Sequence, residues 1–149
     1  MTKKEVLLAT CWTTAGDAYP LPNKDLSPIP LRERIEAASA AGFRGFGLLD
    51  CDMDKFLENH SLTDLKKILD DNGMEALEIE FLTNWFEIGE KKRASDVLKE
   101  KLFNAAKVLG AHHVKIATDI SGGAWDKNHW VTELRKLGEV VKNYNAQLA

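Results

Sequence analysis

Four short apolar runs alternate with four helical stretches along this chain, and few architectures accept that order. Glu5–Cys11, Phe43–Leu49, Glu75–Phe81 and His113–Thr118 read as strands. Leu31–Ala41, Ser61–Asp71, Ala94–Leu109 and Asp126–Tyr144 read as helices, because their apolar residues recur every three or four positions. Leu62, Leu65, Ile68 and Leu69 show the pattern, with Ser61 placed as an N-cap. Gly42, Asn72-Gly73 and Gly110 stop three of the helices. All four prolines lie within Trp12–Pro30, which predicts a loop there. Strict strand–helix alternation implies a parallel sheet with right-handed crossovers. Two architectures satisfy it: an open doubly wound sheet, or a piece of a (β/α)8 barrel. A complete barrel takes about 250 residues. A chain of 149 residues with four such units corresponds to half of one, a single (β/α)4 domain over 1–149 with strands in the order 1-2-3-4.

The totals narrow the function classes. Net charge is −3, with acids and bases interspersed, so no basic stripe marks a nucleic-acid surface. No apolar run approaches the ~20 residues that span a bilayer, and no signal peptide is read at the start. Cys11 and Cys51 are too few for a disulfide scaffold, which points to a reducing cytoplasm and two free thiols.

The third predicted strand, LEIEF, carries Glu78 and Glu80 on one side and Leu77, Ile79 and Phe81 on the other. By the same alternation Lys115 shares the side opposite Val114 and Ile116. Unpaired buried carboxylates are costly, so Lys115 is expected to pair with Glu78 or Glu80.

The run PLRERIEAASAAGFRGFGLLD (Pro30–Asp50) resembles the first helix and second strand of the xylose isomerase-like barrels, the sugar-phosphate isomerases and epimerases. LKKILDDNGMEALEIEF (Leu65–Phe81) and KLFNAAKVLGAHHVKIATD (Lys101–Asp119) are similar to the helix-to-strand steps of the same family. The resemblance implies a metal-assisted proton shift on a hydroxy-carbonyl sugar. It also implies that the divalent metal (Mn, Mg, Co or Zn) is held by strands five to eight of a complete barrel. Those strands lie outside this chain, which would end where the fifth begins. Gly47 stands where the family often has a glutamate. Divalent metal is therefore expected only in the complete barrel, with no metal ligand assigned here and catalytic residues left unknown. Two other readings stay open: a non-catalytic half-barrel binding or assembly module, and a flavodoxin-like open-sheet domain.

In parallel α/β folds, ligands meet the C-terminal ends of the strands. Trp12, Asp50, Glu80, Trp85 and Asp119 are the candidate substrate contacts there, with the two tryptophans as apolar walls or as loop packing. Glu78 and Lys115 form the expected ion pair of the lumen. Gly122 and Gly123, after Ser121 at a helix start, are candidates for phosphate. Asp50 and Asp52 are placed on a loop. His112 and His113 stand at the N-terminal end of the fourth strand, away from chemistry, and His60 and His129 are expected at the surface. A half barrel leaves strands one and four as open edges, so a second copy or a C-terminal half is the expected partner.

Overall fold

The structure, a computed structural model, describes residues 5–21, 23–118 and 126–149. In chain order the elements are β1 (Leu8–Ala9), α1 (Leu31–Ala40), β2 (Gly45–Leu49), α2 (Asp50–Leu57), α3 (Leu62–Asp71) and β3 (Ala76–Leu82). They continue with α4 (Gly89–Leu109), β4 (His113–Ile116), α5 (Lys127–Val141), a 3₁₀ turn (Lys142–Tyr144) and β5 (Gln147–Leu148). All strand pairs are parallel and the sheet order is β1-β2-β3-β4-β5. The first strand thus sits at an edge, as in a barrel segment, and not inside the sheet. No described helix is long and apolar enough to cross a membrane.

Local chemistry explains most boundaries. In α3, Ser61 Oγ accepts from Asp64 N–H while the Asp64 carboxylate accepts from Ser61 N–H, a reciprocal cap. Gly110 ends α4 at φ 72°, a left-handed conformation that costs glycine little. Asp126 caps α5 through the N–H groups of Asn128 and His129.

The helix-facing side of the sheet carries Phe46, Leu48, Leu77, Ile79 and Val114, packed against Ile35, Leu65, Leu69, Leu102 and Phe103. Full burial of each such side chain contributes about 1.5–3 kcal/mol. Alternation within the strands turns Gly47, Glu78 and His113 to the other, concave side, in mutual register.

Four expectations are corrected. Residues 50–57 are helix, not loop: Asp50 and Asp52 sit in the first turn of α2 and favour the positive end of its dipole. α4 starts at Gly89, five residues before Ala94. Phe81 does not join Leu77 and Ile79 in the core. β3 takes three steps from Ile79 to Leu82 while β4 takes two from Val114 to Ile116. The extra residue leaves Phe81 half-buried outside the core and gives its place to Leu82. Finally, β4 is not an edge. The chain turns at Asn145 and lays Gln147 and Leu148 beside His113 and Val114. The fifth strand therefore begins within this chain, and the open edges are β1 and β5.

Candidate functional site

Glu78 and Glu80 lie on the concave face of β3, both buried, at 5% and 7% exposure. Lys115 of β4 donates to Glu78 Oε1 at 2.8 Å and to Glu80 Oε1 at 3.2 Å. The Lys115 side chain remains 32% exposed, so the group is not sealed from solvent. Burial works against the charge on Lys115, but hydrogen bonds and charge from both glutamates outweigh it and raise its pKa above the usual lysine value. Lys115 is thus a fixed cation and not a free amine.

His113 completes the group. Its Nε2 lies 3.1 Å from Glu78 Oε2. Alternation alone places His113 on the side of Lys115, and that signal was available in the sequence. The expectation that it lay away from the chemistry weighed its place at the strand start and overlooked its face. Across the sheet, Cys11 lies beside Glu80. Burial first, then Glu80, pushes its thiol far above the ordinary range. Cys51 is pushed up to about 12 by burial and by Asp52, Asp25 and Asp50. Both cysteines are free, and both are protonated at neutral pH, which removes the thiolate a nucleophile needs.

Gly47 makes this packing possible. A Cβ there would stand 2.6 Å from Cys11 N and 3.0 Å from Glu78 Oε1. The space above residue 47 is filled by the end of β1 and by the Glu78 carboxylate.

The other predicted site residues scatter. Trp12 follows Cys11 in a turn and is half-buried. Asp50 turns to α4, where Lys101 Nζ lies 3.5 Å away, and burial raises its pKa despite that cation. Asp52 is buried against Arg34, which also donates to Cys11 O at 2.6 Å and to Thr14 Oγ1 at 3.3 Å. Ser27 N–H donates to Asp52 as well, at 3.0 Å. This pair, which sequence reasoning missed, ties the Pro-rich loop to α1 and α2.

Trp85 is 2% exposed, its Nε1–H bonded to Ala117 O at 2.8 Å and its ring 4.7 Å from that of Trp130. Those contacts are loop packing. His129 is half-buried, not exposed, with Nε2 2.7 Å from Phe86 O. His60 is exposed and stacks on Phe56, and His112 is exposed. Asp119, Gly122 and Gly123 lie outside the described residues. Among the described residues no three His, Cys, Asp or Glu side chains converge as a metal cage. The described donors do not form a metal site by themselves.

No protein-family model and no curated protein matches the sequence. Solved structures match the fold. A xylose isomerase domain-containing protein from Salmonella typhimurium LT2 superposes with a TM-score of 0.71 at 13% identity, over 81% of this chain and 44% of its own. This chain has the fold of part of a xylose isomerase-like TIM barrel. The IolI protein, solved with a bound zinc atom, gives 0.72 at 18% identity, over 81% of this chain and 46% of its own. A D-psicose 3-epimerase from Clostridium cellulolyticum H10, solved with D-tagatose, gives 0.64 at 13% identity, over 95% and 50%. The chain spans about half the length of these three barrels. In such a barrel the concave face is the lumen, and Glu80 lies nearer than Glu78 to its C-terminal mouth.

Proposed function

We propose that this chain supplies half of the pocket of a sugar isomerase- or epimerase-like barrel, and that its concave face binds a small polyhydroxylated ligand. The observation that supports this best is the buried Glu80–Lys115–Glu78 group on β3 and β4. A carboxylate accepts from sugar hydroxyls, and an ammonium donates to a hydroxyl or carbonyl oxygen. Glu80 and Lys115 together would orient a hydroxy-carbonyl compound, with Glu78 holding Lys115 from below.

Trp12, beside Cys11, would offer an apolar wall. Asp119 remains a proposed contact, and Gly122 and Gly123 a proposed phosphate site. Asp50, shared with Lys101, and Trp85, enclosed by packing, are the weaker members of the set. The complete barrel would perform a metal-assisted proton shift. In this chain the derivable work is binding and orientation. The pocket would be closed by a C-terminal half or a second copy meeting the open edges, in the cytoplasm. Gly47, which stands where the family often has a glutamate and has no room for a side chain, favours one second reading, a binding module without catalysis.

Titration of the ¹⁵N-labelled chain with D-tagatose tests the first claim. Resonances of Glu80 and Lys115 should shift, and Glu80→Gln should weaken binding about tenfold, a loss of roughly 1.4 kcal/mol, with folding intact. Unchanged affinity would remove Glu80 from the site. Thermal stabilisation by Mn²⁺ of the closed barrel, this chain together with its C-terminal half, would favour the metal-assisted reading, and its absence the binding module.

A further inference from the structure

The concave face is not electrically balanced. Two carboxylates, Glu78 and Glu80, share the single ammonium of Lys115. No described neighbour brings a further fixed cation. β1 contributes the Cys11 thiol, which is uncharged. β2 contributes Gly47 and Leu49, in register with Glu78 and Glu80. β4 contributes His113, bonded to the second oxygen of Glu78. The remaining charges at this end of the sheet are engaged elsewhere and leave no spare cation: Asp52 pairs with Arg34, and Lys101 is shared by Asp50 and Asp54. With His113 neutral the described group sums to one negative charge, and with His113 protonated it sums to zero. In neither state is it positive.

We propose that this pocket selects which end of a ligand it accepts: it takes an uncharged or ammonium-bearing polyol carbon and turns a phosphate away. The proposal rests on the reading that the concave face binds a polyol, and it adds the charge class of the bound end. A phosphate brought to Glu80 would meet two carboxylates for one ammonium and would have to break the Lys115 contacts to gain a cation. An ammonium would find an acceptor in Glu80 and correct the imbalance. A phosphorylated sugar would therefore enter with its phosphate directed away from Glu78, Glu80 and Lys115.

Three small probes of one scaffold test this: glycerol, 2-amino-1,3-propanediol and glycerol 2-phosphate. Each is too short for its substituent to escape the group. The ¹⁵N-labelled chain is titrated with each at low salt, and dissociation constants are read from the shifts of Glu80 and Lys115. The amine should bind at least about threefold more tightly than glycerol and the phosphate at least about threefold more weakly, with both differences shrinking as salt screens them. Glu80→Gln removes one negative charge and should bring the three within about twofold. Lys115→Met, a second variant should the first fail to fold, should widen the preference for the amine. Glycerol 2-phosphate binding as tightly as glycerol, with shifts at Glu80 and Lys115, would overturn the proposal and leave the polyol reading standing. No shift at either residue with any probe, nor with D-tagatose, would overturn both.

Discussion

Two groups of buried charge lie close together in this chain, and they are built differently. In one, Arg34 is enclosed, its side chain 1% exposed, and it spends its donors on Asp52, Cys11 O and Thr14. In the other, Lys115 keeps a third of its surface in solvent while Glu78 and Glu80 hold it. Both satisfy the rule that buried charges are paired. The first joins pieces of chain that share no sheet ladder, a loop and two helices. The second joins neighbouring strands that backbone hydrogen bonds already hold together. Enclosure therefore marks the pair that ties the fold together, and residual exposure marks the group proposed to meet a ligand.

Substitutions can break this contrast. Arg34→Met leaves Asp52 in the interior without its cation, with only the Ser27 N–H bond remaining, and should cost about 3–5 kcal/mol, read from urea unfolding. A loss below about 1 kcal/mol would place that pair among ordinary surface bridges. Gly47→Ala presses a methyl group against Cys11 N, 2.6 Å away, which the backbone of β1 must yield to accommodate. A cost of about 1–3 kcal/mol is expected, and unchanged stability would mean that β1 rides loosely on β2. Glu80→Gln keeps the shape and one hydrogen-bond acceptor, so unfolding should change by less than about 1 kcal/mol. Polyol binding carries its effect.

The smallest effect is on pH dependence. The raised pKa values of Cys11 and Lys115 mean that the folded state holds those protons more tightly than the unfolded chain. Their contribution is complete below the unfolded values. It falls as pH rises past 9.0 for Cys11 and past 10.5 for Lys115. Melting temperature followed through alkaline pH should decline from the first of these values, and Cys11→Ala should make the decline shallower without moving its start, because the Cys51 thiol is raised from the same value.

What could be read from the sequence followed the reach of each signal. Helices α1, α3 and α5 and the strand interiors announced themselves through periodicity and caps, which are local. The side on which Glu78, Glu80 and Lys115 lie followed from alternation within one strand each. α2 was hidden because it begins at Asp50 with no break after Leu49, and its only buried residues are Asp52 and Met53. Its reason for existing is the contact between Asp52 and Arg34, 18 positions earlier, which no window around residue 52 contains. The extra residue at Phe81 is fixed by pairing with β4, more than thirty positions away, so alternation failed there. Trp85 could be read as a wall or as loop packing, because the partners that decide it, Ala117 and Trp130, are supplied by distant segments.

The brief pairing of Gln147 and Leu148 with β4 has a consequence for assembly. A ring of eight staves has five already laid by this chain. Two identical copies turned by half a revolution would bring ten staves to those eight berths. Self-closure would therefore oblige residues 145–149 of each copy to peel away and hang free as a tail, whereas a dissimilar companion carrying the three outstanding staves would find that tail already seated.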